Sequence, residues 1–101
     1  MAASGAASAA PLTPDEENLA YCQLVLSDAA LGGMRPGEDD PGSAAVLMKR
    51  LGELLGLPED EIARSILPPV AAAARTDMAT RKRPRFSPRA CAGYAHFIKT
   101  R

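Results

Sequence analysis

Residues 43–69 read SAAVLMKRLGELLGLPEDEIARSILPP. In the first half, apolar residues recur at helical spacing. Ala44, Leu47, Met48, Leu51, Leu54 and Leu55 fall on one face, while Lys49, Arg50 and Glu53 point elsewhere. Gly52 inside this run costs about 1 kcal/mol relative to Ala. Gly56 stands where a left-handed cap closes a helix, with Leu57 able to fold back on it. Pro58 then opens a new helix, and Glu59, Asp60 and Glu61 sit at the positive end of its dipole. Ile62 and Ile66 are its expected buried pair, and Pro68-Pro69 its expected stop. The spacing thus predicts two short antiparallel helices, about 44–55 and 58–67, joined tightly at Gly56.

Upstream lies a third helix. Thr13 suits the N-cap, Pro14 the first helical position and Glu16 the third. The helix is expected over 14–31, ending at Gly32-Gly33. Leu19, Cys22, Val25, Leu26, Ala29 and Ala30 share a face, with Tyr21 at its margin. Gln23, Ser27 and Asp28 lie away from it, and Leu24 and Leu31, off the main face, read as a second, weaker contact surface or as scattered exposed apolar residues. Residues 32–43, GGMRPGEDDPGS, form a loop. Residues 70–80, VAAAARTDMAT, favour helix by propensity but lack an apolar stripe.

The fold class is therefore all-α: a small three- or four-helix domain. A disordered leader is expected at 1–12, an acidic helical domain at 13–80 and a basic tail with a short docking helix at 81–101. With 101 residues, no Trp, 2 Tyr and 2 Phe, the core is small. Partner contact is expected to supply missing burial. Cys22 and Cys91 read as free thiols in a reducing compartment, because they sit in segments of opposite charge. The start MAASGAASAAPL has no basic, compactly apolar secretory character, and no apolar run suits a membrane span. Nucleus or cytoplasm is the expected location.

The net charge of zero hides a division. Residues 81–101 hold seven basic residues and no acid, leaving five basic residues against all 12 acids elsewhere. Lys82-Arg83-Pro84-Arg85, extended by Arg81, resembles short nuclear-import signals, which lay an extended basic peptide into acidic slots. Pro84 is expected to keep it extended. With Arg89, the same cations suit a phosphate backbone, and Phe86, Tyr94 and Phe97 suit base stacking. The acidic remainder opposes that. The basic run also reads as an intramolecular partner for the acidic half. Ser87-Pro88 has the minimal pattern of a proline-directed phosphorylation site. Residues 90–98, ACAGYAHFI, either dock on the body or fold on a partner.

Neither cofactor nor metal is expected: Cys22, Cys91 and His96 make no zinc pattern, and the acid clusters match no calcium loop. No catalytic residues are assigned, since a lone His with two remote Cys makes no triad. The expected role is a non-enzymatic intracellular adaptor, with a protein partner or a larger complex. Its protein-binding residues are Leu47, Leu51, Leu54, Leu55, Tyr94, Phe97 and Ile98. A nucleic-acid-associated protein using the tail is the alternative, and a small viral or structural assembly protein the third reading.

Overall fold

A computed structural model describes residues 12–100. Most of the expected leader lies outside the described residues; Leu12, at its end, packs against the core. The described chain is all-α, with four substantial helices and one short one. They are α1 (Pro14–Ser27), α2 (Ala29–Gly32), α3 (Pro41–Leu55), α4 (residues 59–81) and α5 (Pro88–Lys99).

Helix α1 starts as its sequence dictates. The Glu16 N–H donates to Thr13 Oγ1 at 3.2 Å, and the Thr13 N–H donates to Glu16 Oε1 at 2.9 Å. It stops at Ser27 rather than at 31. Asp28 turns extended, with φ −125° and ψ 104°, and its carboxylate accepts from the Ala30 N–H at 3.0 Å to start α2. An Asp side chain that bonds nearby backbone competes with helix continuation. The break swings Leu31 into the core. Gly32 is required there, because a Cβ would meet the Val25 carbonyl oxygen at 2.4 Å.

All eight residues from Leu19 to Leu26 are buried. The expectation of a single apolar face fails, and Leu24 and Gln23 are inside with the rest. The reason is position: α3, α4 and α5 all pack on α1 and together cover more than one of its faces along this length. Gln23 is 8% exposed and its Oε1 has no hydrogen-bond partner.

Helix α3 begins at Pro41, three residues before its expected start at about 44. Asp40 caps it by accepting from the Ser43 N–H at 3.1 Å and the Ser43 hydroxyl at 2.9 Å. Ala44, Leu47 and Leu51 are buried, but Leu54 is 50% exposed. Burial needs a facing element as well as the right angle; in this last turn Leu55 still packs against the core, while Leu54 is turned to solvent. Gly56 takes φ 69°, and both its N–H and that of Leu57 reach the Gly52 carbonyl, as the cap reading requires.

Helix α4 corrects the expected stop at Pro68-Pro69. The chain runs helically through Glu59–Glu61, a π-helical turn Ile62–Ile66, and Leu67–Arg81. Across that turn the Leu67 N–H bonds to the Ile62 carbonyl, one residue further back than in an α-helix. The wider turn places both prolines in the first turn of the following α segment. There their missing N–H groups cost least. Residues 70–80 are fully helical, anchored by Val70 and Ala74.

Helix α5 packs along α1 and α3. Cys91 and Ala95 are buried, and Tyr94 and Ile98 half-buried. Cys22 and Cys91 form a disulfide, not two free thiols. Opposite charge in the linear sequence does not separate them, because α5 lies beside α1. Their separation of 69 residues makes the cross-link worth about 4 kcal/mol in the chain-entropy account. That is a large share of the ~5–15 kcal/mol typical of a domain.

Candidate functional site

The basic segment folds into a turn between α4 and α5. Arg81 ends α4, and Lys82 caps it in the left-handed region at φ 62°, its N–H on the Met78 carbonyl at 3.1 Å. The segment is thus not the extended peptide that Pro84 was expected to maintain. Helix propensity reaching to Arg81 sets its first residues before Pro84 acts.

Arg85 turns inward. Its N–H donates to the Tyr21 hydroxyl at 2.8 Å, and that hydroxyl donates to Asp77 Oδ2 at 2.6 Å. Its guanidinium sits 4.7 Å from the Tyr21 ring centroid, with Nη1 3.0 Å from Glu17 Oε1 and Nε 3.9 Å from Asp77 Oδ2. Phe86 meets the same ring edge-on at 5.8 Å. Burial, then the Asp77 hydrogen bond, hold the Tyr21 hydroxyl above its ordinary titration range. The knot joins α1, α4 and the turn that precedes α5.

The neighbouring cations have a different fate. Arg81, Lys82, Arg83 and Arg89 are exposed, and none makes an ion pair among the described residues. Arg81, Lys82 and Arg83 border a cleft of about 380 Å³ with Gly32, Gly33 and Ser87. Ser87 is exposed and caps α5, its Oγ accepting from the Ala90 N–H at 3.1 Å. The cleft therefore presents fixed positive charge on an ordered backbone, suited to an anionic group.

The apolar candidates divide in the same way. Leu47 and Leu51 are fully buried, so the core already uses them. Leu55, Tyr94 and Ile98 are half-buried against it. Leu54, at 50%, and Phe97, at 53%, are largely in solvent. Ile98 also borders a groove of about 410 Å³ with Val46, Lys49, Arg50, Glu53 and Lys99. Burial raises the Tyr94 hydroxyl titration, and the Asp15 carboxylate adds to the rise. A third cavity, about 240 Å³, lies between α1 and α5.

Sequence reading missed Glu17, Tyr21 and Asp77 as partners of the basic segment. One signal was available: Asp77 is the lone acid between Glu61 and the end of the chain. Among the described residues, no group of three or more His, Cys, Asp or Glu could hold a metal ion. No helix among them is long and apolar enough to cross a membrane. No protein-family model, curated protein or solved structure matches the chain.

Proposed function

We propose that this chain is a non-enzymatic interaction protein that receives an acidic segment of a partner protein at Arg81, Lys82 and Arg83. The observation that carries the reading is the contrast within five residues. All four cations border the cleft, but Arg85 is engaged by Glu17, Asp77 and Tyr21, while Arg81, Lys82 and Arg83 make no ion pair among the described residues. Of the seven apolar residues expected to meet a partner, Leu54 and Phe97 have the exposure to add contact.

A protein is favoured over single-stranded nucleic acid because Phe86, expected to stack on bases, packs against Tyr21. An import signal would require residues 81–85 to leave a helix end, a left-handed cap and the Arg85 knot. A nuclear or cytoplasmic location sets the Cys22–Cys91 bond against a reducing thiol pool. The test is fluorescence anisotropy with a labelled Glu/Asp-rich peptide and with a single-stranded oligonucleotide of equal charge. The peptide binds more tightly, its affinity falls with salt, and R81E/K82E/R83E lowers it at least about tenfold. Equal or tighter binding of the oligonucleotide transfers the role to nucleic acid. Absence of both refutes the cationic site.

A further inference from the structure

We propose that the Cys22–Cys91 disulfide is a thiol-exchange site of fixed polarity: a small cationic aminothiol enters the cavity between α1 and α5 and attacks Cys22. The two sulfurs are not equivalent. The 240 Å³ cavity is lined by Asp15, Asn18, Cys22, Phe86, Ala90 and Tyr94. Cys22, 4% exposed, borders it; Cys91, 0% exposed, does not. A thiolate held in the cavity is therefore beside Cys22 and not beside Cys91. Phe86, Ala90 and Tyr94 provide an apolar wall for a short carbon chain, while Asp15 and Asn18 place a carboxylate and an amide at its polar side. Asp15 makes no ion pair among the described residues, so it is open to an ammonium group and repels a second carboxylate.

The chemistry balances with two equivalents of thiol. The attacking thiolate forms a bond to Cys22 Sγ, and the Cys22–Cys91 bond breaks. Its electron pair leaves on Cys91 Sγ, which takes a proton from solvent. Cys91 lies in the first turn of α5, where the helix N-terminus favours the negative charge of the departing sulfur. A second thiolate attacks the small-molecule sulfur of the mixed disulfide. This releases Cys22 as a thiolate, which is protonated, and yields a small disulfide carrying the two electrons' worth of oxidation. The reverse sequence restores the bond from a small disulfide.

The test uses the full oxidised chain, with cysteamine as the cationic probe and 3-mercaptopropionate as the anionic one, at matched thiolate concentration. Samples are acid-quenched, alkylated and mapped by mass spectrometry. The expected product carries cysteamine on Cys22 and the alkyl group on Cys91. The cationic probe reacts several-fold faster, and Asp15→Asn narrows that preference. Ala90→Leu, which narrows the cavity, slows exchange about fivefold or more. Should that variant alter the fold, the Asp15→Asn comparison and the adduct position decide alone. Adducts mainly on Cys91 or shared evenly, no charge preference, or exchange only at the global unfolding rate seen by hydrogen exchange would each overturn the proposal. So would an oxidised chain whose non-reducing map shows no Cys22–Cys91 link. These outcomes do not depend on whether the acidic peptide binds.

Discussion

Helices α1 and α5 have similar lengths, 14 and 12 residues, and are held by different means. Helix α1 buries eight consecutive side chains between neighbours on several sides. Helix α5 buries Cys91 and Ala95, with Tyr94 and Ile98 half covered. Apolar area is the natural currency of the first attachment, at about 25 cal/mol per Å². The second relies on a covalent link and on the Arg85 knot just before the helix. Docking of α5 therefore depends on the redox state of one bond in a way that α1 does not.

The largest expected effect comes from removing that link. Cys22→Ala with Cys91→Ala should lower stability by about 4 kcal/mol in urea denaturation. Amide exchange should accelerate more in α5 than in α1. A loss under 1 kcal/mol would mean that packing alone holds α5, and the contrast would collapse. Next is Leu26→Ala in α1, expected to cost about 3 kcal/mol. Ile98→Ala, on a half-buried site, should cost about 1 kcal/mol. Equal costs from the same denaturation measurement would erase the difference between the two helices.

Tyr21→Phe sharpens the comparison at the knot. It leaves Asp77 Oδ2 and the Arg85 N–H without their shared hydroxyl, at an expected cost of about 1.5 kcal/mol. The substitution also has a pH signature. Burial first, and the Asp77 bond second, raise the Tyr21 titration in the folded chain. Its contribution is thus fully present below the unfolded tyrosine range and lost as pH rises above about 10. The decline in urea midpoint above that pH should be shallower in the variant, with Tyr94 supplying what remains. The smallest effect is Ser87→Ala, about 0.5 kcal/mol by loss of the exposed α5 cap, read from the same curves.

Local signals were the legible part of the fold. The Thr13 capping box, the Gly56 turn and the apolar run of α3 each act within a few residues, so one stretch of sequence contains the whole cause. What escaped involves two stretches at once. Periodicity assigns one face to α1 and cannot reveal that other helices cover its remaining sides, which is why Leu24 and Gln23 were misplaced. Charge along the chain kept Cys22 apart from Cys91, although helices pack by shape and apolar area. The docking of residues 88–99 was legible as an alternative because Cys91, Tyr94 and Ile98 recur at helical spacing. Arg85 looked identical to Arg83 in sequence, and only the placement of Tyr21, Glu17 and Asp77 distinguishes them.

The π-helical turn of α4 also sets angular phase. At about 100° per residue, an uninterrupted α-helix would place Ile62 and Val70 about 80° apart around the axis. One additional residue in the turn makes their separation count as seven, about 20° from alignment. Ile62, Val70 and Ala74 then all reach the core, and all three are buried. The turn acts as a vernier between two halves of one rod. Deleting a single residue from 64–65 should restore regular winding there with the rest of α4 still in step, whereas the same deletion after Pro69 would rotate Asp77 away from Tyr21.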